Sequence, residues 1–523
     1  MATIASTADV IRVHGRERGD RLALVQDEHR LTWGDLDRRS SRVANAFGAA
    51  GLSAGDRVAF LDKNGYEYFE VLFGGAKCDV VTVNVNWRLA PPEVQWIVQN
   101  AEAKVFFFGA EFADTVAAIE DQLDGVTLVC LGADDRFGSY EGWISDDETD
   151  PGVEPGPESV AFQLYSSGTT GLPKGVMLSN NNVFSLFDVV ETEWDFGEDM
   201  VNLAAMPLFH IGGAGWAMAG MYFGATTILL REIDPGRLID LIGEEQITHA
   251  FLVPAVLQFM LIMPNAATAD FSSLRMMAYG ASPITEEVLR GVIELLGCDF
   301  IQVYGLTETT GAICTLPTED HDLSGPNLHR LRSCGKPNSN VEIAIVDPDS
   351  GDAVATGEVG EILTRSEQNM IGYWRNDEGT ANAYVTFEGD DDWFRTGDAG
   401  YLDADGYLYI HDRIKDMIVS GGENVYPAEV ENALMKHEAV GDVAVIGVPD
   451  EKWGEVGKAV IVKAEGATAS EEDILTFARS ELAGFKVPKS VDFVTEIPRN
   501  PTGKILKKDL RAPYWEGRER QVN

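Results

Sequence analysis

Hydrophobic positions along this chain of 523 residues follow two alternating patterns. Short runs rich in β-branched and aromatic residues predict strands at 57–61, 81–86, 104–109, 126–132, 250–253, 275–280 and 300–305. Between them lie longer stretches with helical spacing, such as 31–51. Strands that alternate with helices are typical of α/β proteins with largely parallel sheets, so we predict this fold class.

The pattern changes near the C-terminus. After residues 407–416 come four shorter elements: the strand-like VAVIGV and KAVIVKA, the helix-like EEDILTFARSELA and the strand-like VDFVTEIP. About 110 residues suffice for a small domain, and a chain of this length exceeds what one hydrophobic core usually supports. We therefore predict an N-terminal domain over 1–412, a boundary at 413–416 and a smaller α/β domain over 417–523.

One segment, 203–230, contains no Asp, Glu, Lys or Arg. Its length and apolarity make it a candidate membrane span. Against a span stand Pro207, His210 and several glycines, and the flanks carry no cluster of positive charge. A buried segment that lines an apolar cavity explains both the glycines and the missing charges, so we favour that interpretation.

The formal charge of −43, from 84 acidic and 41 basic side chains, argues against a nucleic-acid partner, because duplex binding needs clustered Lys and Arg. Any phosphate site must therefore be built locally, from backbone N–H groups and a few placed cations. The five cysteines form no CxxC pair, the eight histidines form no HExxH cluster, and the N-terminus lacks the apolar region of a signal peptide. These features favour a reducing cytoplasm and argue against a disulfide framework or a zinc site.

The most informative stretch is YSSGTTGLPKG at 165–175. Its glycines let the backbone turn N–H groups toward an anion, and hydroxyls add donors at Ser166, Ser167, Thr169 and Thr170. Lys174 adds a cation, and the preceding VAFQLY is strand-like, so the loop leaves a strand end, where α/β proteins bind ligands. The pattern differs from the P-loop of nucleotide triphosphatases, since Pro173 and Gly175 flank Lys174. We predict a phosphate-binding loop of another kind.

Four further stretches follow this loop in order: PLFHIGG (207–213), VYGLTETTG (303–311), FRTGDAGYLDADGYLYIHDRIKDMIVSGGENVYPAEVE (394–431) and PRNPTGKILKKDL (498–510). Together the five stretches resemble the acyl-adenylate-forming superfamily, which includes acyl-CoA synthetases, adenylation domains of peptide synthetases and firefly luciferase. The resemblance covers nearly the whole chain and points to the acyl-CoA synthetase, or fatty-acid–CoA ligase, branch. It implies a large N-terminal domain of α/β subdomains with mostly parallel sheets, and a small mobile C-terminal α/β domain.

The resemblance also implies an ATP site. The loop would bind the β- and γ-phosphates through Ser166, Ser167, Gly168, Thr169, Thr170, Gly171 and Lys174. Thr169 and Glu308 would lie near Mg²⁺, which prefers carboxylates and phosphate oxygens. Thr307 would contact the α-phosphate, and Tyr304 would stack on adenine. The other nucleotide contacts that it implies are Gly280, Ala281, Ser282, Gln302, Asp398 and Arg413, the last two at the ribose.

Lys504 occupies the lysine of the PRNPTGK motif. In the family this lysine bridges the carboxylate and the α-phosphate during adenylation, so the resemblance makes it the principal catalytic residue, with His210, Thr307 and Glu308. The small domain is then expected to rotate about a hinge within 413–416, here Lys415. That rotation withdraws Lys504 and brings in the CoA passage, which is implied to be Ser420, Gly421 and Gly422.

The family builds its acyl pocket around the PLFHIGG stretch, which here implies His210, Ile211, Gly212, Gly213 and Trp216. No carboxylate is present in 203–230 to pair with the ammonium of an amino acid, and an unpaired buried charge is costly, so a CoA ligase is favoured over a peptide-synthetase domain. Glycines with Met218 and Met221 indicate a roomy, adaptable apolar pocket. We expect a medium- or long-chain fatty acid as substrate. Aryl acids such as cinnamates or benzoates, and steroid-derived acids, stay open as alternatives.

The expected partners are a small-molecule carboxylic acid, ATP and the co-substrate CoA, with Mg²⁺ as cofactor. The chain is expected to act in the cytoplasm without a transmembrane segment; a homodimer and a peripheral membrane contact stay open. Two rival hypotheses predict other results. A membrane acyl carrier or transporter would use 203–230 as a span and show no ATP chemistry, and a phosphoryl-transfer enzyme would release ADP rather than AMP.

Overall fold

The computed structural model describes residues 4–132, 134, 136–166, 173–348, 350–420, 423–450, 452–499 and 505–516, without the side chains of Lys415, Glu423 and Asn424. The chain divides into two compact units. The first unit comprises Met1–Glu342, Arg365–Thr386 and Asp390–Phe394. The second unit comprises Ile343–Thr364, Phe387–Gly389 and Arg395–Asn523.

The secondary structure alternates along the described residues. The strands are β1 (Leu22–Gln26), β2 (His29–Thr32), β3 (Arg57–Leu61), β4 (Val81–Asn84), β5 (Ala103–Phe108), β6 (Thr127–Cys130), β7 (Gly138–Ser139), β8 (Val160–Ser166), β9 (Lys174–Ser179), β10 (Val201–Ala204), β11 (Thr226–Leu229), β12 (His249–Leu252), β13 (Met276–Gly280), β14 (Asp299–Leu306), β15 (Gly311–Leu316), β16 (Lys336–Pro337), β17 (Glu342–Val346), β18 (Gly360–Arg365), β19 (Gly372–Tyr373), β20 (Tyr384–Phe387), β21 (Asp390–Leu402), β22 (Leu408–Arg413), β23 (Ile418–Ser420), β24 (Glu423–Val425), β25 (Val440–Asp450), β26 (Gly454–Lys463) and β27 (Ser490–Val494). The α-helices are α1 (Thr7–Glu17), α2 (Trp33–Ala49), α3 (Tyr66–Lys77), α4 (Pro91–Asn100), α5 (Ala113–Ala117), α6 (Tyr140–Trp143), α7 (Asn180–Glu193), α8 (Ile211–Tyr222), α9 (Pro235–Glu244), α10 (Pro254–Ile262), α11 (Glu286–Leu296), α12 (Asp377–Ala383), α13 (Pro427–Leu434), α14 (Glu471–Glu481) and α15 (Lys507–Trp515).

The first unit contains two large sheets. One has the strand order β16-β15-β14-β13-β12-β10-β11-β1-β2, and the other has the order β19-β9-β8-β4-β3-β5-β6-β7. The inner strands of both sheets pair in parallel, and the antiparallel pairs β1–β2, β14–β15 and β8–β9 lie toward the edges. The predicted α/β class with mostly parallel sheets is confirmed.

Helix α2 illustrates how the local sequence sets an element and its packing. The Thr32 hydroxyl accepts a hydrogen bond from the Asp35 N–H at 3.1 Å, and the Asp35 carboxylate accepts one from the Thr32 N–H at 3.0 Å, which satisfies the helix N-terminus. Apolar residues at helical spacing form the buried face, and they are Trp33, Leu36, Val43 and Phe47. Gly74 of α3 faces Val43, because a Cβ at Gly74 would lie only 2.7 Å from that side chain. The two helices can therefore pack closely.

The uncharged segment 203–230 contains a strand, a helix and a second strand. It begins within β10, continues through α8 and ends just after β11, so Pro207 and the glycines lie at the joints between these elements or within a short helix. At a rise of 1.5 Å per residue, α8 is about 18 Å long, well short of the apolar core of a bilayer. Across the part of the chain that the structure describes, no helix is both long and apolar enough to cross a membrane. The membrane-span interpretation of this segment is therefore wrong.

Two smaller sheets include strands of the second unit. In the first of these, β22 pairs antiparallel with the 398–402 part of β21. The other has the strand order β24-β23-β26-β25, and β27 pairs in parallel with β26. The strands and the helix that the sequence predicts near the C-terminus correspond to β25, β26, α14 and β27. The predicted boundary at 413–416 concerns a motion, and it stays a prediction.

Glu67, in the first turn of α3, gives a pH dependence to the stability of the fold. Burial raises the pKa of Glu67 to about 7, and the nearby carboxylates of Glu70 and Asp62 also raise it. Between the usual glutamate pKa and 7 the folded state therefore binds more protons than the unfolded state, so the free energy of unfolding falls as pH rises through this window. We expect Glu67→Gln to raise the free energy of unfolding by roughly 1–2 kcal/mol at pH 8 and by little at pH 4.5.

Chemical denaturation at the two pH values measures this effect. Glu120→Gln, at an exposed position, is the control and should give the same small change at both pH values. An equal effect of Glu67→Gln at pH 4.5 and pH 8 would contradict the assignment.

Candidate active site

The carboxyl ends of β13 and β14 lie side by side. Gly280 ends β13 opposite Val303 of the parallel strand β14, and a Cβ at Gly280 would lie 2.2 Å from the Val303 carbonyl oxygen. This close approach requires glycine. Ala281, the next residue, is exposed and has a left-handed φ of +65°, and Ser282 is partly buried. Ligands in α/β proteins bind at such strand ends, so the predicted strip Gly280–Ser282 has a suitable position.

Strand β14 continues into the turn that contains Thr307 and Glu308. This 3-10 turn, Thr307–Thr309, is followed by Thr310 with φ +57° and Gly311 with φ +99°. The Thr309 hydroxyl accepts from the Leu306 N–H at 3.0 Å and donates to the Gly311 carbonyl at 2.9 Å. These bonds hold the turn, and thus Thr307 and Glu308, in one conformation.

Glu308 connects the two sheets of the first unit. Its Oε1 accepts hydrogen bonds from the Ser166 hydroxyl at 3.1 Å and the Tyr373 hydroxyl at 3.2 Å. Its carbonyl accepts from the Met370 N–H at 2.8 Å. Glu308 follows a strand of one sheet, whereas Ser166 and Tyr373 belong to β8 and β19 of the other. The strand ends of both sheets therefore meet at this carboxylate.

The ends of the predicted phosphate loop are fixed by a strand pair. Ser166 of β8 lies opposite Lys174 of β9 in the antiparallel ladder. The Lys174 ammonium lies 4.6 Å from the centre of the Tyr373 ring. The predicted residues between these ends lie outside the described part of the chain, and they are Ser167, Gly168, Thr169, Thr170 and Gly171.

Gln302 and Tyr304 lie on β14, ahead of this turn. Tyr304 pairs with Cys314 across the β14–β15 ladder, Gln302 pairs with Leu316, and both side chains are partly buried. Their position beside Gly280 brings the predicted purine contacts to one sheet edge.

His210 to Trp216 form the start of α8. His210 is the N-cap residue, and its carbonyl accepts from the N–H groups of Gly213 and Ala214. Gly213 is required by packing, since a Cβ there would lie 2.2 Å from the Pro207 carbonyl oxygen. Ile211 faces the Glu308 turn, because a Cβ at Gly311 would lie 3.7 Å from Ile211 Cγ1. The start of α8 thus lies next to the turn that carries the carboxylate.

Trp216 is part of a buried aromatic cluster. Its ring centre lies 5.0 Å from Phe196, 5.8 Å from Phe251 and 6.5 Å from Trp194. Phe251 also approaches Gly212, where a Cβ would lie 2.9 Å from that ring. Trp216 itself is 7% exposed, so it packs within the wall formed by α8 and β12. This cluster gives the predicted acyl region one aromatic side.

The second unit contains the two predicted ribose residues. Asp398 of β21 lies opposite Arg413 of β22, and Arg413 Nε lies 2.6 Å from Asp398 Oδ1. Asp398 is 4% exposed. The ion pair therefore orients the Asp398 carboxylate and the Arg413 guanidinium toward each other.

The remaining predicted residues of the second unit are only partly described. The backbone of Lys415 lies in the 3-10 turn Ile414–Asp416, and Ser420 ends β23 opposite Glu423. Gly421, Gly422 and Lys504 lie outside the described residues.

Sequence reasoning missed Tyr373. This residue contacts both Glu308 and Lys174, two residues that the sequence did identify. The only local signal is the short stretch MIGYW at 370–374, whose glycine has φ +150°. The pairing of β19 with β9 brings Tyr373 to Glu308 and Lys174, and the sequence alone does not show this pairing.

A pre-formed cluster of metal ligands is not seen in this region. Within the described ranges, no three His, Cys, Asp or Glu side chains gather into a group that could hold a metal ion. Any cation here would need ligands from a substrate as well as from Glu308.

Comparison with known families identifies the chain. Residues 11–374 match the AMP-binding enzyme family, and residues 429–504 match the C-terminal domain of AMP-binding enzymes. The chain belongs to the AMP-binding enzyme family. The predicted acyl-adenylate-forming superfamily is therefore confirmed, as is its class of AMP-forming acid–thiol ligases.

Individual members of the AMP-binding enzyme family resemble the whole chain. It is 40% identical over 518 residues to a fatty acid–[acyl-carrier-protein] ligase, ScoC, of Streptomyces coeruleorubidus, covering 98% of this chain and 96% of the relative. It is 38% identical over 485 residues to a feruloyl-CoA synthase of Amycolatopsis sp., and the match covers 92% of this chain and 94% of the relative. Among solved structures, a Mycobacterium tuberculosis fatty acyl CoA synthetase is 34% identical with a TM-score of 0.78, and 98% of each chain is covered.

Gly305 offers a test of the turn that carries Glu308. A Cβ at this position would lie 1.6 Å from the Gly311 carbonyl oxygen, so Gly305→Ala must displace the turn. Because a misplacement of about 1 Å can cost on the order of 100-fold in rate, we expect a loss of this size in acid-dependent exchange of pyrophosphate into ATP. Gly48→Ala in α2 is the control, since its Cβ would meet no atom within 4 Å, and it should leave the exchange rate unchanged. Full activity of Gly305→Ala would show that the turn geometry is not needed.

Proposed function

We propose that this chain is an ATP-dependent acyl-CoA ligase. It joins a carboxylic acid to AMP, with release of pyrophosphate, and then transfers the acyl group to the thiol of CoA, with release of AMP. The observation that carries this proposal is the meeting of Ser166, Glu308, Lys174 and Tyr373 at the strand ends of two sheets, in a chain of the AMP-binding enzyme family.

The first step is an electrostatic problem. A carboxylate is a poor electrophile, and it must approach the α-phosphate of ATP although both carry negative charge. The chain has a formal charge of −43, so its overall field works against this approach. Local cations and N–H donors have to neutralise the two anions, and we propose that Lys174 and the loop that begins at Ser166 bind the leaving phosphates. The pairing of Ser166 with Lys174 at the two ends of this loop supports the proposal.

The residues around Glu308 fit a magnesium ion that is also bound by the nucleotide. One carboxylate beside hydroxyl groups is a suitable donor set, because Mg²⁺ takes one or two protein carboxylates and completes its coordination with phosphate oxygens and water. When bound, the cation would neutralise charge on the phosphates. Ser166 and Tyr373 then hold the Glu308 carboxylate in position for it.

The nucleoside contacts are proposed from the same arrangement. Tyr304 and the strip that begins at Gly280 lie at adjoining strand ends, where an adenine ring can stack and accept backbone hydrogen bonds. Gln302 is proposed to line the same edge. Asp398 is proposed to accept hydrogen bonds from the ribose hydroxyls, and its ion pair with Arg413 orients its carboxylate.

The second step is proposed to use a different arrangement of the C-terminal domain. Lys504 supplies the ammonium for adenylation, a rotation about Lys415 then removes it, and the segment Ser420 to Gly422 lines the entry of the thiol. Glycines leave room for a narrow passage because they carry no side chain.

We propose a medium- or long-chain fatty acid as the substrate. The wall provided by 203–230 has no charged side chain, and Met218 and Met221 of α8 are fully buried with flexible thioether chains. A relative and a solved neighbour are both named for fatty acids. An aryl acid is the second candidate, because the Trp216 cluster offers aromatic surface and one relative is a feruloyl-CoA synthase.

We propose CoA as the acceptor and the cytoplasm as the location. A relative is named for an acyl-carrier protein instead, so the acceptor is tested directly by offering CoA and an acyl-carrier protein to enzyme that has formed its acyl-adenylate. Thioester on CoA alone supports the proposal, and thioester on the carrier protein alone overturns it.

A panel of acids tests the substrate. Pyrophosphate exchange is measured with acids of graded chain length, with cinnamates and with benzoates. We expect the highest kcat/KM for acids of eight or more carbons, on the order of tenfold above aryl acids, since each buried CH₂ contributes about 0.8 kcal/mol. Exchange with none of these acids would contradict the ligase assignment itself.

Lys504 separates the two steps. We expect Lys504→Ala to lower adenylation by roughly 100- to 1000-fold, the usual effect of removing one donor that stabilises transition-state charge. Thioester formation from supplied acyl-adenylate should stay within about twofold, because the lysine is proposed to leave the site before that step. Lys508→Ala, at an exposed position of α15, is the matched control and should affect neither rate. Equal loss of both steps would count against the two arrangements.

A further inference from the structure

Asp412, in β22, holds two groups that follow it in the chain. Its Oδ2 accepts a hydrogen bond from the Ala428 N–H at 2.8 Å, which satisfies one of the free N–H groups at the start of α13. The same oxygen lies 3.7 Å from the Lys507 ammonium of α15. The side chains of Asp412 and Lys507 are 8% and 10% exposed, so the contact lies away from water.

Lys507 has a second partner in the same unit. Its ammonium lies 3.0 Å from Glu431 Oε1 of α13, whose carboxylate also accepts from the Val445 N–H. Burial lowers the pKa of Lys507, but the carboxylates of Glu431, Asp412 and Asp416 outweigh burial and keep its pKa raised, so the ammonium stays charged. The cation thus lies between two buried acids, and removing either acid removes one of its two close ion-pair contacts.

The position of these contacts relative to Lys415 is the informative feature. Asp412 precedes the proposed hinge by three residues, whereas Ala428 and Lys507 follow it. A rotation about Lys415 moves Ala428 and Lys507 relative to Asp412. A hydrogen bond of 2.8 Å is lost once its atoms separate by more than about 3.5 Å, so a large rotation breaks the contacts of Asp412.

A second ion pair of the same kind lies wholly on one side of the hinge. Arg511 of α15 lies 2.7 Å from Asp416, and the two side chains are 14% and 13% exposed. Both residues follow Lys415, so the rotation leaves this pair intact. It is a matched reference for the contact that crosses the hinge.

We propose that Asp412, through Ala428 and Lys507, is a positioning residue that stabilises one of the two arrangements of the C-terminal domain and so sets the balance between adenylation and thioester formation. This inference rests on the proposed two-step function. In the arrangement where its contacts break, Asp412 has to be rehydrated, and Lys507 loses one of its two close ion-pair contacts. Asp412 therefore lowers the free energy of the arrangement in which its contacts with Ala428 and Lys507 are formed. A ligand that binds better to the rotated arrangement has to overcome this free-energy difference.

The experiment compares three variants: Asp412→Asn, Lys507→Gln and the reference Arg511→Gln, which breaks the Arg511–Asp416 pair and keeps the charge of Asp416. Adenylation is followed by pyrophosphate exchange, thioester formation is followed from supplied acyl-adenylate, and hinge exposure is followed by tryptic cleavage after Arg413 and Lys415 without substrates. We expect Asp412→Asn and Lys507→Gln to change the two half-reactions in opposite directions, with a ratio shifted roughly fivefold or more, and to speed the cleavage by a similar factor. Arg511→Gln should shift the ratio less than about twofold.

The outcomes separate this role from a structural one. A parallel fall of both half-reactions, or cleavage as slow as in the unchanged protein, overturns the proposal. The thermal midpoint is measured for each variant, and if one of them does not fold, the other tests the same contact from its opposite end. If the unchanged protein shows no pyrophosphate exchange, the proposed function fails, and the cleavage rates still decide whether Asp412 restrains the hinge.

Discussion

The hydrogen bonds of Glu308 are the interaction on which the candidate site depends. They join the turn after β14 of one sheet to β8 and β19 of the other, so one carboxylate links the two sheets. The turn can present this carboxylate only because Gly305 and Gly311 allow the backbone to approach itself closely. The two ends of the predicted phosphate loop and the predicted purine contacts lie on strands that end near this point, and the start of α8 lies beside the turn.

The strong negative charge of the chain explains why the site has to be so local. A surface with 84 acidic and 41 basic side chains does not attract nucleotides or acids from a distance. Binding then depends on a few short-range groups, which act strongly where water is excluded and salt screens little. Among the described residues, Lys174 and the Arg413–Asp398 pair are the groups proposed for this role, and each has an orienting contact in its own unit.

Much of the architecture could be predicted from the sequence, because its strands are marked by local composition. The run RMMAYG corresponds to β13 and RVAFL to β3 almost residue for residue, since buried parallel strands need continuous apolar stretches. The segment 203–230 shows what composition alone cannot distinguish. Its hydropathy fits a membrane-spanning helix equally well as the strand, helix and strand that the structure has there. Tyr373 and Asp412 show another limit. Their partners are distant in sequence, and only the pairing of β19 with β9, or the packing of α13 and α15 beside β22, brings those partners within reach.

The pairing of Ser166 with Lys174 has a consequence for how the protein can be altered. The two ends of the glycine-rich segment are tied by the β8–β9 ladder, so the cost of closing that loop is already met by folding. We therefore expect this segment to accept replacement by the corresponding segment of a relative, while the strands that hold its two ends stay unchanged.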